Sequence, residues 1–134
     1  MPQWRCAALL AFACAVLTGC STPGEREAAA SAAAENFANS VLHFDGTRAC
    51  AALAPETRQE LEQSAKTSCA KAILDSQLPG AGALQSIEVY GQQARAVLTA
   101  DTLFLSSFPA GWRITAAGCV PRPHQPYACQ VKGG

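Results

Sequence analysis

An α+β fold, with helices first and an antiparallel sheet after them, is what this sequence predicts. Three observations lead to it. Apolar residues recur at three- and four-residue steps up to about Gln77. From Ser86 onward they alternate instead, in short runs divided by turn formers. Between the two regimes lies a glycine-containing break, "LPGAGAL", from Leu78 to Leu84. Helices and strands segregated along one chain pack as a helical layer on one sheet, unlike the alternation that builds a parallel α/β core. The expected architecture is N-terminal helices packed on one face of an antiparallel β-meander.

The first helix is expected in "EREAAASAAAENFANSVLHF", where abundant alanine favours helix from about Glu25. Ala33, Phe37, Val41 and Phe44 give it one apolar face, and Glu25 and Glu27 suit the positive end of its dipole. "DGTRACAALAPETRQELEQSA" reads as two short helices. Asp45 caps the first, which turns Ala49, Cys50 and Leu53 inward. Pro55 opens the second at a position where its missing N–H is no loss. That helix is charged on most sides, with Leu61 its main apolar contact. Ser68 caps a further turn, "CAKAILDSQ", with Ala70, Ile73 and Leu74 inward. The break at Gly80 and Gly82 lacks the lysine and helix start of a phosphate loop, so it is read as a connection. "SIEVY", "QARAVLTA", "TLFLSSF" and "GWRITAAG" are then strands, separated by "GQQ", "AD" and "PAG".

Ahead of these elements, Arg5 precedes an unbroken apolar run from Cys6 to Leu17. A dozen residues fall short of the ~20 that span a bilayer. The run closes on Leu17, Thr18, Gly19 and Cys20. An aliphatic residue, two small ones and a cysteine resemble the leader of bacterial lipoproteins. The resemblance implies a diacylglyceryl group on the Cys20 thiol and cleavage just before it. Residues 1–19 are then a signal peptide, removed with Cys6 and Cys14. The mature chain is expected at the cell membrane, lipid-anchored on its extracytoplasmic face, with residues 20–27 as a tether and 28–134 as a single α+β domain.

Four cysteines remain beyond Cys20: Cys50, Cys69, Cys119 and Cys129. An even number in an oxidising compartment predicts disulfides. Three connectivities are open, and spacing favours Cys50–Cys69 and Cys119–Cys129, the second pinning a C-terminal tail to the last strand. His124 lies between Cys119 and Cys129, but this spacing lacks the close cysteine pair of a zinc site, so no metal is expected. Ten basic and ten acidic side chains cancel, and no basic stripe offers a footprint for nucleic acid.

The order of elements, with "SSFPAGWRITAAGC" as the penultimate hairpin and last long strand, resembles the nuclear transport factor 2-like superfamily, the cystatin-like α+β cone. The likeness runs from about Glu25 to Cys119 and is most specific at Gly111, Trp112, Arg113 and Ile114. Members usually add a strand between the second and third helices. None is evident here, which implies a smaller cone or a shallower pocket. Enzymes of this superfamily set an acid, a base and a tyrosine in an apolar pocket. Three carboxylates come up for that test. Capping accounts for Asp45 and turn chemistry for Asp101. Glu88 alternates with Ile87 and Val89 and shares its face with Tyr90, a pair expected to face solvent. Phe104 and Phe108 share another strand face. Glu88, Tyr90, Phe104 and Phe108 are the candidate pocket residues. No catalytic residue is assigned, and no cofactor is expected. His43 has no nucleophile motif beside it. Trp112 is expected in the core and Arg113 on the opposite face. The function expected is a non-enzymatic, lipid-anchored binding or accessory module of the cell envelope. Its partners would be the membrane and an envelope protein or small apolar ligand. A small cone-fold enzyme of isomerase or dehydratase type is the alternative.

Overall fold

The computed structural model describes residues 19–133. Leu17, Thr18 and the apolar leader lie outside the described residues. Four helices come first: α1 (Pro23–Leu42), α2 (Gly46–Ala51), α3 (Pro55–Ala65) and α4 (Cys69–Asp75). Five strands follow: β1 (Leu84–Tyr90), β2 (Gln93–Leu98), β3 (Thr102–Phe108), β4 (Gly111–Arg122) and β5 (Gln125–Lys132). The strands form one antiparallel sheet in sequence order, with the helices packed against it, so the class is α+β.

The helix starts follow from local chemistry. α1 begins at Pro23, inside the segment expected as tether. The Glu25 amide donates to the Thr22 hydroxyl (3.3 Å), and the Thr22 amide donates to the Glu25 carboxylate (2.8 Å). With Pro23 in the first turn this is a capping box, and only Ser21 separates the cap from Cys20. The Arg48 amide donates to Asp45 at 3.0 Å and the Lys71 amide to Ser68 at 3.4 Å, so both expected caps are in place. Pro55 opens α3, whose buried side chains are Thr57 and Leu61. On α4, Cys69, Ala72 and Ile73 face inward, with Leu74 only partly covered. Gly46 lets α2 approach α4, since a Cβ there would run into the Ala70 carbonyl oxygen.

Phe44 departs from expectation. α1 ends at Leu42, and Phe44 takes a left-handed conformation (φ 56°) that turns its ring out to 80% exposure. Phe37 is buried as expected, with Ala30, Ala34 and Ala38 beside it, and Ala33 and Val41 pack partly buried against the same core. They pack with two rows of the sheet, Val89–Ala94–Leu105–Ile114 and Ile87–Ala96–Leu103. Trp112 joins this core.

Two findings concern the C-terminal quarter. The expected tail is a full strand, β5, and β4 runs on to Arg122 to pair with it. A bulge on β5 sets Pro126 and Tyr127 opposite the single residue Pro121. The disulfides are Cys50–Cys69, joining α2 to α4, and Cys119–Cys129, directly across the β4–β5 ladder.

Candidate functional site

The sheet face away from the buried rows carries the chemistry. Cross-strand register aligns Glu88, Arg95, Phe104 and Ala116 in one row, and Tyr90, Gln93, Ser106 and Arg113 in the next. The Tyr90 hydroxyl donates to Glu88 Oε2 at 2.6 Å, and Arg95 forms an ion pair with the same carboxylate. Arg95 Nη1 also donates to the Tyr127 hydroxyl at 3.4 Å. The Tyr127 ring meets Phe104 edge to face, with centroids 5.0 Å apart. The Tyr90 hydrogen bond, then Arg95, hold the Glu88 carboxyl below its usual range, and Glu88 in return pushes the Tyr90 phenol up. A carboxylate held ionised is a poor general acid, and a phenol held protonated is a poor base. The pair suits a fixed, polar surface.

The other two carboxylates are also engaged. Asp45 holds the α2 amide described above. Asp101 is buried, and its carboxylate accepts from the amides of Thr102 (2.7 Å), Gly118 (3.1 Å) and Cys119 (3.1 Å). Turn chemistry explains the first bond only. The others tie the β2–β3 turn to the middle of β4. Burial pushes the Asp101 carboxyl up despite the three amides.

Beside the Glu88 network lies a groove of ≈ 570 Å³. Gln93, Ser106 and Phe108 form its sheet side, and Pro55, Thr57 and Lys132 part of its rim. The start of α3 is held over the sheet by its backbone. The Ala54 amide donates to the Ile114 carbonyl (2.8 Å), and the Ile114 amide donates to the Ala52 carbonyl (2.9 Å). The Thr57 hydroxyl and the Gly133 amide both donate to the Thr115 carbonyl at 3.0 Å. Of the four candidate pocket residues, Phe108 lines this groove, while Glu88, Tyr90 and Phe104 gather in the network next to it. Thr57 and Lys132 escaped the sequence reading. Lys132 sits in the strand hidden by prolines, and the contact of Thr57 with β4 spans a separation that no local pattern reports.

Cys20 is an exposed free thiol. It lies just before the end of α1 that packs on the β1–β2 and β3–β4 turns. Arg26 donates to the Gly91 carbonyl, and its guanidinium lies 5.6 Å from the centre of the Trp112 ring. The β4–β5 turn at Pro123 and His124 belongs to the opposite end, with the β2–β3 turn that Asp101 anchors. Among the described residues no helix is long and apolar enough to cross a membrane, and no cluster of metal-ligating side chains occurs. Compared with protein-family models, with curated proteins and with solved structures, the chain matches none of them.

Proposed function

We propose that this chain is a lipid-anchored extracytoplasmic module that binds rather than catalyses. The observation that carries the second half is the engagement of Asp45, Glu88 and Asp101 in a cap, an ion pair and a tertiary staple. A carboxylate doing acid–base work has to exchange protons with a substrate, and these are each fixed by partners of their own. The groove beside Phe108 offers apolar surface with a polar rim, which suits a small ligand or a peptide side chain. The cone-like reading belongs to the same proposal. It is supported by the helices-then-meander order and by bulges in the β1–β2, β3–β4 and β4–β5 ladders, since bulges curl a sheet.

The anchor half rests on Leu17–Cys20 and on the exposure of the Cys20 thiol immediately before a rigid helix. Two disulfides fit an oxidising compartment. Two or more acyl chains hold a protein stably, and one does so only marginally. In a bacterial host, the membrane fraction should yield a chain that begins at Cys20 and carries acyl mass. Cys20→Ser should leave an unprocessed or released protein. A mature chain that stays with the membrane after this change refutes the anchor.

A further inference from the structure

The two disulfides sit in unlike surroundings. Cys50 and Cys69 are buried members of the main core, where their bond joins α2 to α4. Cys119 and Cys129 lie outside that core, and Cys129 is only half-buried. Beyond them, from Val120 to Ala128, every residue of the ribbon except Tyr127 is exposed. A thiolate has to reach a disulfide sulfur directly to cut the bond. It meets the core pair only after α2 and α4 part, whereas an exposed two-stranded ribbon frays locally. Both cysteines of the ribbon stay placed once their bond is cut. The Asp101 carboxylate accepts from the Cys119 amide. Directly after Cys129, the Gln130 side chain donates to the Ser76 carbonyl (3.4 Å), and Val131 is buried in the core. The arm between the two anchors is what can move. It carries Tyr127, whose ring meets Phe104 and whose hydroxyl accepts from Arg95.

We propose that Cys119–Cys129 is a redox clasp: a dithiol opens it while Cys50–Cys69 stays closed, and opening lifts Tyr127 off Phe104. One thiolate of the dithiol attacks Cys129 Sγ, the more open of the two sulfurs, and Cys119 leaves as a thiolate that takes up a proton. The second thiol of the reagent attacks the mixed disulfide and expels Cys129, which is protonated in turn. The dithiol becomes a disulfide, and its two electrons and two protons end on the two cysteines. A monothiol completes only the first step. Cys119, held by Asp101 close to Cys129, then expels it and the clasp recloses. Closed, the clasp keeps Tyr127 on Phe104; open, it bares the Phe104 ring and frees Arg95 from the Tyr127 hydroxyl. Phe104 pairs with Ala116, which lines the groove described above, so the switch changes the apolar surface beside that groove. An effect on ligand binding would rest on the groove reading, whereas the opening itself does not.

The test uses the mature protein in detergent micelles, with dithiothreitol as the dithiol and glutathione as the monothiol. Alkylation by iodoacetamide followed by peptide mass analysis reads each pair separately. Cys119–Cys129 should open about tenfold faster than Cys50–Cys69, or more. With only the clasp open, amide exchange from Val120 to Ala128 should rise by about tenfold, while the amides of α2 and α4 keep their protection. The nuclear Overhauser contact between the Tyr127 and Phe104 rings should vanish. Glutathione at the same thiol concentration should leave the clasp closed. Removing dithiothreitol and adding oxidised glutathione should restore the ring contact. The double change Cys119→Ser and Cys129→Ser should show the open signals without any reagent, and the titration of the unaltered protein stands whether or not that variant folds. Opening of both pairs at one rate overturns the proposal. So does an opened clasp that keeps Tyr127 on Phe104, or equal opening by the monothiol. The peptide that contains Cys20 reports acylation separately, so failure of the anchor and failure of the clasp are read from different signals.

Discussion

Asp101 sits where a β-turn wants an aspartate, yet two of its three hydrogen bonds go to β4 rather than to the turn. The turn was legible because "TADT" has the right residues at the right spacing. The staple was not, because nothing near Asp101 in sequence marks Gly118 and Cys119 as its partners. Asp101→Asn exchanges one acceptor oxygen for a donor that faces a backbone donor, so it should cost about 1–3 kcal/mol. The pH dependence has a definite sign. Burial raises this carboxyl above its usual 3.8, so the folded state holds the proton more tightly than the unfolded chain. Its contribution is fully present below 3.8 and declines as pH rises through the raised value. Urea unfolding of both proteins across this range should show the advantage of Asp over Asn shrinking as pH rises. An advantage that grows would mean the three amides outweigh burial. Glu88 carries the opposite sign: its lowered carboxyl favours folding above 4.5, and that contribution is lost as pH falls through the lowered value.

Elements were legible where a cap or a period is local. Asp45, Pro55 and Ser68 start their helices as read, and the meander follows from alternation. Thr22 and Glu25 formed a readable capping box that set the start of α1 earlier than alanine content suggested. β5 was hidden because Pro121, Pro123 and Pro126 argue against a central strand, and these residues sit on an edge hairpin that tolerates them. That hairpin projects past β3, whose pairing with β4 stops at Phe104 and Ala116. A two-stranded ribbon is marginal by itself, so the Cys119–Cys129 bond is what keeps it formed. Chain entropy gives each disulfide about 3 kcal/mol, since their spans of 10 and 19 residues differ little on a logarithmic scale. The two should still act differently. Replacing Cys50 and Cys69 by Ala should lower Tm by roughly ten degrees, because α2 and α4 close the core. Replacing Cys119 and Cys129 should speed amide exchange from Val120 to Ala128 and release Tyr127 from Phe104, with a smaller change in Tm. Equal global losses would show that the ribbon unfolds only with the body.

At the scale of the molecule, zero net charge conceals a division. Every acidic residue lies between Glu25 and Asp101, and Arg113, Arg122 and Lys132 follow with no acid among them. The helices and first strands are thus acidic overall and the last hairpin basic, a segregation that a summed charge erases. The two ends of the molecule divide differently: Arg113 lies by the β3–β4 turn and Arg122 by the β4–β5 turn. Cys20 adjoins the β1–β2 turn through Arg26 and Gly91, and His124 marks the opposite end. α1, with 20 residues, is about 30 Å long and runs from the Cys20 end across the sheet. The exposed side of α1 carries Glu27, Glu35 and Asn39 and no basic residue, which disfavours its lying on an anionic bilayer. A lipid on Cys20 would therefore stand the domain upright. Arg122, beside the β4–β5 turn, would then sit well beyond the ~10 Å reach of surface charge in 0.1 M salt. Acylated protein in vesicles, labelled with a fluorophore at Gln92→Cys or at His124→Cys, separates the two postures. A headgroup-bound quencher should dim the label at position 92 and leave the one at 124 bright, whatever the fraction of anionic lipid. Comparable quenching at both positions would lay the domain flat and bring the ribbon, and not the β1–β2 turn alone, against the membrane.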